Sequence, residues 1–142
     1  MKDATFYILT EFYRLLSGVI SVPVFSTEKD TNSNALRYVV VSPSFDEQEG
    51  SKDRFNGKYY VNIDINDIVP DNAQSWEGAV GISNEILDII CPNRILKALA
   101  DSADFAVLAT HNIRSRNMPI MRTDTEMIMR KVLEFEIIIS QK

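Results

Sequence analysis

The sequence has few of the residues that fix a fold through covalent bonds or special backbone geometry. It contains one cysteine, five glycines and five prolines in 142 residues. A single cysteine excludes an intrachain disulfide, and the low glycine and proline content argues against a fibrous repeat or long disorder. The cysteine, Cys91, precedes Pro92 at an expected helix end, and we interpret it as a small core residue.

Long apolar runs are also lacking. No segment approaches the ~18 consecutive apolar residues of a membrane span. The first segment, "MKDATFYILTEFYRLLSG", is interrupted by Asp3, Glu11 and Arg14, so it has no apolar stretch of the kind found in signal peptides. We therefore expect a protein that is made and used in the cytoplasm and has no membrane partner.

Positive charge is in deficit. The chain has 15 lysines and arginines against 20 aspartates and glutamates, a net charge of −5. A protein that wraps nucleic acid needs basic residues to replace the counterions of the phosphates. We expect no direct sequence-specific nucleic acid binding. The length and the 45% hydrophobic content predict one soluble globular domain, residues 1–142.

Motifs of enzyme chemistry are missing as well. No G-x-S-x-G occurs, and the glycines of "EGAVGIS" lie in a helical pattern without a following Lys-Ser or Lys-Thr pair. The one histidine, His111, has no nucleophile or orienting carboxylate that the sequence designates. We expect a protein that is not an enzyme, with no cofactor, no metal and no catalytic residue.

Two helices are predicted by apolar residues at helical spacing. The first contains Ile8, Phe12 and Leu16, and Gly18 lies where a left-handed residue ends a helix. The second runs through "WEGAVGISNEILDII", with Asp71 or Ser75 as its cap. Its predicted buried side consists of Trp76, Ala79, Val80, Ser83, Ile86, Leu87 and Ile90.

Five strands are predicted around these helices. They are "SVPVFS", "RYVVVS", "YYVNIDIND", "DFAVLATHNIR" and "MIMRKVLEFEIIIS". "RILKALAD" is predicted to form a short helical turn before the fourth. The order is α-β-β-β-α-β-β, and sequential strands without helical crossovers usually pair antiparallel. The predicted fold class is α+β, a two-layer domain with a mainly antiparallel sheet and two main helices packed on one face.

Two charged segments are candidate partner contacts. "PSFDEQEGSKDRFNG", Pro43 to Gly57, is predicted to be a solvated loop or flexible hairpin tip, far longer than the ~2–5 residues of a hairpin loop, and such loops are usually functional or disordered. "IRSRNMPIMR" is by default a solvated connection, and its arginines are candidates to contact an acidic surface of a neighbouring subunit. The predicted contact residues are Asp46, Glu47, Glu49, Lys52, Asp53, Arg54, Arg114 and Arg116.

The strand "YYVNIDIND" has a polar face made by Tyr60, Asn62, Asp64 and Asn66. A calcium loop is excluded by spacing, because an EF-hand that begins at Asn62 needs glycine where Asp67 stands and glutamate at position 73, which is alanine.

Two interpretations of this polar face remain. Asp64, Glu134 and Glu136 are the expected magnesium ligands of a small metal-dependent nuclease, although nothing basic flanks them to receive a phosphate. The favoured interpretation is a sheet face open to solvent or to another chain.

The chain resembles the tail terminator, or tail-completion, proteins of long-tailed bacteriophages and prophages. The likeness lies in the opening helix "LTEFYRLLSG" with "SVPVFS", in "ALRYVVVSP" and "YYVNIDIND", in the helix "SNEILDIICP" and in the closing strand "RKVLEFEIIIS". It is a likeness of element order and covers nearly the whole chain.

This resemblance implies an α+β structural protein of virion assembly. It implies a homo-oligomer, commonly a hexameric ring, that caps the finished tail tube and joins it to the head. The implied partners are the tail tube and the head–tail connector proteins. The implied location is the bacterial cytoplasm during assembly and then the virion tail. A head–tail connector or neck protein, which would share the ring, is the alternative within this class.

Overall fold

The computed structural model describes residues 4–26, 28–30, 32–50, 55–70, 75–90 and 105–141. It contains two helices and six strands, in the predicted order apart from one added short strand. The elements are α1 (Thr5–Leu16), β1 (Val24–Ser26), β2 (Arg37–Gly50), β3 (Phe55–Pro70), α2 (Glu77–Ile89), β4 (Phe105–Asn117), β5 (Met121–Arg122) and β6 (Glu126–Gln141). The predicted α+β class is confirmed. The predicted turn "RILKALAD" and Cys91 lie outside the described residues.

The strands form one sheet in the order β1-β2-β3-β6-β4, and β5 pairs with β6 beyond the end of β4. β1 and β2 are parallel, and all other neighbours are antiparallel. β1 follows directly after Pro23 and lies at an edge, as expected for a strand that begins after proline. β2, β3 and β6 are the long strands at the centre.

The core lies between the sheet and the two helices. Alternation along β3 places Val61, Ile63 and Ile65 on the helix side, next to Leu133 and Phe135 of β6. The rings of Phe12 on α1 and Phe135 are 5.8 Å apart at their centroids. These inward positions agree with the predicted alternation of both strands.

The helix ends follow from local sequence. Gly18 has a φ of 77°, a left-handed conformation that favours glycine, and lies two residues after the end of α1. Ser75 Oγ accepts a hydrogen bond of 3.1 Å from the Glu77 N–H at the start of α2, whereas Asp71 lies outside the described residues. The prediction that Val80 is buried is wrong. Ile82 is buried instead, because it shares the face of Ala79, Ser83 and Ile86 and Val80 lies beside that face.

The predicted loop from Pro43 to Gly57 is wrong. β2 continues to Gly50, β3 begins at Phe55, and the two form a long antiparallel hairpin. The register shifts once, between Pro43 and Asp46, and this bulge lets the ladder continue past the proline. Most of this charged segment is therefore strand.

Candidate functional site

The sheet has one face that neither described helix covers. We call it the open face. It comprises the outward side of the long strands and of β4, and its central residues are Tyr38, Val40, Ser42, Tyr60, Asn62, Asp64, Asn66, His111, Arg114, Arg116, Arg130, Val132, Glu134 and Glu136. It includes the polar set predicted from "YYVNIDIND". A shallow groove of about 380 Å³ lies on it between Tyr38, Asn66 and Arg130.

An ion pair joins β3 and β6 in the middle of the open face. Arg130 Nε donates to Asp64 Oδ1 at 3.2 Å, and Arg130 Nη2 donates to Asp64 Oδ2. The hydrogen bond and the negative charge of Asp64 raise the pKa of Arg130, although its partial burial acts in the other direction. Both oxygens of the Asp64 carboxylate are therefore engaged by a permanently charged partner.

The three carboxylates of the nuclease alternative lie on this one face. Asp64 pairs with Val132 in the ladder, Glu134 lies opposite Asn62, and Glu136 lies opposite Tyr60. In the part of the chain that the structure describes, no three His, Cys, Asp or Glu side chains are close enough together to hold a metal ion. Arg130 also engages the two Asp64 oxygens that a metal would need.

A row of polar side chains crosses the sheet two residues along β3 from Asp64. Ser42, Asn62, Glu134 and Arg114 follow one another across four strands. Glu134 is only 8% exposed, and Asn62 Oδ1 is buried without a hydrogen-bond partner. Arg114 lies opposite Glu134, is exposed, and makes no ion pair with a described residue.

The β4 edge is the first of two exposed edges of the sheet. Within the described residues no strand pairs with the outer side of β4. Two register shifts occur in β4, at Leu108 and at Ile113, and these bulged residues are 56% and 43% exposed. Arg116 is exposed as well. A long edge strand with exposed apolar side chains is a ready template for another chain.

The β1 edge is the second edge and lies at the other end of the sheet. A groove of about 410 Å³ runs beside it, lined by Tyr13, Phe25 and the carboxylates of Glu28 and Asp30. Lys29 also lines this groove, and its Nζ is held 4.8 Å from the centre of the Tyr38 ring. Asp30 Oδ1 accepts a hydrogen bond of 3.0 Å from the Asn32 N–H, which orders the turn. The rim of this edge is thus acidic and its floor is partly aromatic.

The predicted contact residues fall in three places. Arg114 and Arg116 lie on the β4 edge. Asp46, Glu47 and Glu49 lie in β2, where their backbones pair with β3. Lys52, Asp53 and Arg54 lie outside the described residues. The sequence reasoning missed Arg130, which the register of β3 with β6 places on the open face near Asp64. It also missed Glu28 and Asp30, which line the groove beside β1.

A second cleft of about 670 Å³ lies between α2 and the ends of β2 and β3. Asp67 is buried there, and its Oδ1 accepts a hydrogen bond of 3.1 Å from Arg37 Nε. Gly78 in the first turn of α2 lies against this pair: a Cβ there would come within 2.5 Å of Arg37 Nη2 and closer still to Asp67 Oδ2. The Asp67 carboxylate lies next to the N-terminus of α2, which is electrostatically favourable. We therefore expect the Arg37–Asp67 pair to help hold α2 on the sheet.

Comparisons with known proteins assign this chain to no family. No family model and no curated protein matches this sequence. One solved structure, whose name states no activity, is similar over 94% of this chain and 91% of its own, with 15% identity and a TM-score of 0.44. Among the described residues, no helix has the length and apolarity to cross a membrane.

Proposed function

We propose that this protein is a structural phage or prophage protein, a ring-forming tail terminator that caps the tail tube and joins it to the head. The observation that carries the proposal is the pair of exposed sheet edges. The β4 edge presents Leu108, Ile113 and two arginines without ion pairs to described residues, and the β1 edge presents a groove with two carboxylates.

The fold supports the same proposal. The resemblance implied an α+β protein with a particular order of helices and strands, and the structure has that class and that order. The open face offers a hydrogen-bonded ion pair and a row of polar side chains that spans four strands. Such an arrangement suits a surface that contacts another chain better than it suits a reaction.

Exposed apolar side chains on a long edge favour self-association. An unpaired edge recruits further strands unless it is covered, and identical chains usually cover such surfaces in closed symmetric assemblies. Two different edges on one chain can form head-to-tail contacts, and such contacts give a ring when the rotation between copies closes on itself.

The direct experiment is native mass spectrometry and sedimentation velocity across a concentration series, with and without purified tail tubes. We expect a closed assembly, with a hexamer as the first candidate. A strict monomer at every concentration, including in the presence of tail tubes, contradicts the proposal. A ring that binds isolated necks but not tail tubes would instead assign the protein to the head–tail connectors.

A further inference from the structure

We propose that the ring closes edge to edge. The β4 edge of one copy docks beside β1 of the next, and Arg114 and Arg116 face Glu28 and Asp30 of that neighbour. This inference rests on the proposed function and names the surface through which a second copy of the chain is bound.

The strand register brings the two edges to the same level of the sheet. Ladder positions connect Phe25 on β1 through Val40, Asp64 and Val132 to Arg116 on β4. The row on one side runs from Ser26 to Ser115, and the row on the other side runs from Val24 to Asn117. All three residues of β1 therefore stand level with residues 115–117 of β4.

The directions of β4 and β1 are also compatible with a contact between the β4 edge of one copy and the β1 edge of the next. β1 runs parallel to β2, and each further step through β3, β6 and β4 is antiparallel. β4 is thus antiparallel to β1. A neighbour related by rotation about an axis along the strands would place its β1 beside β4 as an antiparallel pair, the arrangement that a short hairpin-like ladder favours. The segment 114–117 lies beyond the second bulge, so its ladder with β6 is regular.

The charges and apolar groups of the two edges are complementary. Arg114 and Arg116 are exposed and have no ion pair within the described residues, whereas the opposite edge carries Glu28 and Asp30 on either side of Lys29, whose ammonium lies over the Tyr38 ring. With the two edges level, the Phe25 ring of one copy would lie beside the aliphatic part of Arg116 of the next. Complementary charges set the register of such contacts, and like charges across them oppose association.

The same charges argue against a twofold contact between two β4 edges. That arrangement would bring the arginine pairs of both copies to one interface and leave the acidic β1 groove without a partner. A β4-to-β1 contact covers both edges at once, and every copy makes it twice. This property makes the proposal testable with two complementary variants.

The experiment reverses the charge of each edge separately. Arg114→Glu/Arg116→Glu makes both edges acidic, and Glu28→Lys/Asp30→Lys makes both edges basic. Each variant alone should assemble at least 10-fold more weakly than wild type in sedimentation velocity, because like charges then meet at every contact. A 1:1 mixture should recover assembly to within about threefold, since alternating copies restore every charge pair. Glu77→Lys/Asp88→Lys on the exposed side of α2 is the control, and we expect it to assemble like wild type.

The outcomes separate this inference from the proposed function. A β1-edge variant that assembles normally while the β4-edge variant does not would overturn the inference in favour of a twofold β4 contact. Normal rings from both variants would overturn the inference and leave the proposed function standing. A wild-type protein that stays monomeric with tail tubes present overturns both. Circular dichroism of each variant confirms that a loss of assembly is not a loss of fold.

Discussion

Arg130 on β6 and Asp64 on β3 face each other across the open sheet face, and two hydrogen bonds join the guanidinium to both carboxylate oxygens. The two residues are 66 positions apart in the sequence. Because the guanidinium stays charged at all ordinary pH values, it competes with any cation for the Asp64 carboxylate. This relationship makes Asp64 a part of the sheet surface and leaves it poorly placed as a metal ligand.

The first prediction follows for the nuclease alternative. We expect no cleavage of plasmid, single-stranded DNA or RNA by the purified protein with Mg²⁺ or Mn²⁺, because Arg130 competes with any cation for the Asp64 oxygens. Gel electrophoresis after long incubation measures this. Asp64→Asn is the matched control, and cleavage that this substitution removes would restore the enzyme alternative.

The second prediction concerns the two glycines of α2. Gly78→Ala should destabilise the fold by roughly 1–3 kcal/mol, because the added methyl group meets the Arg37–Asp67 pair. Gly81→Ala has no atom within 4 Å of its added carbon, so it should stabilise the helix by about 0.5–1 kcal/mol. Urea unfolding of both variants gives the two values. Shifts of the same sign would show that the cleft does not hold α2 as described.

The third prediction concerns the β2–β3 hairpin. Replacing residues 46–50 by a Gly/Ser sequence of equal length should cost about 0.5–1 kcal/mol per residue, because each position pairs with β3. Tyr59 lies opposite Asp46, is buried, and its hydroxyl accepts a hydrogen bond from the Ala4 N–H. A weakened pairing at Asp46 should therefore also destabilise the core around Tyr59. The same replacement of the loop residues 32–34 is the control and should cost much less. Equal melting temperatures for both variants would contradict a structural role for this half of the hairpin.

The sequence predicts those parts of the fold in which one face is buried and the other is not. Alternation in "YYVNIDIND" and in "VLEFEIIIS" identifies the inward residues of β3 and β6, because a sheet covered on one side imposes that period. The C-terminal end of β2 could not be predicted in this way. "PSFDEQEG" has no apolar period, and its strand is formed by backbone pairing with β3.

The features of the sheet edges could not be predicted from the sequence for a different reason. Leu108 and Ile113 follow the sequence alternation of a strand, but two bulges leave them unpaired and exposed. Asp64 and Arg130 lie on separate strands, and only the register of β3 with β6 places them together. Local patterns carry no information about register between distant segments.

The most direct measurement of the central claim is negative-stain electron microscopy of purified tail tubes after incubation with this protein. We predict a closed ring at one end of each tube and improved joining of those tubes to heads. The control is the mixture of the two edge-reversed variants, which should also cap tubes, whereas each variant alone should not. Bare tube ends in the presence of folded wild-type protein would contradict the proposal that this chain is a tail terminator.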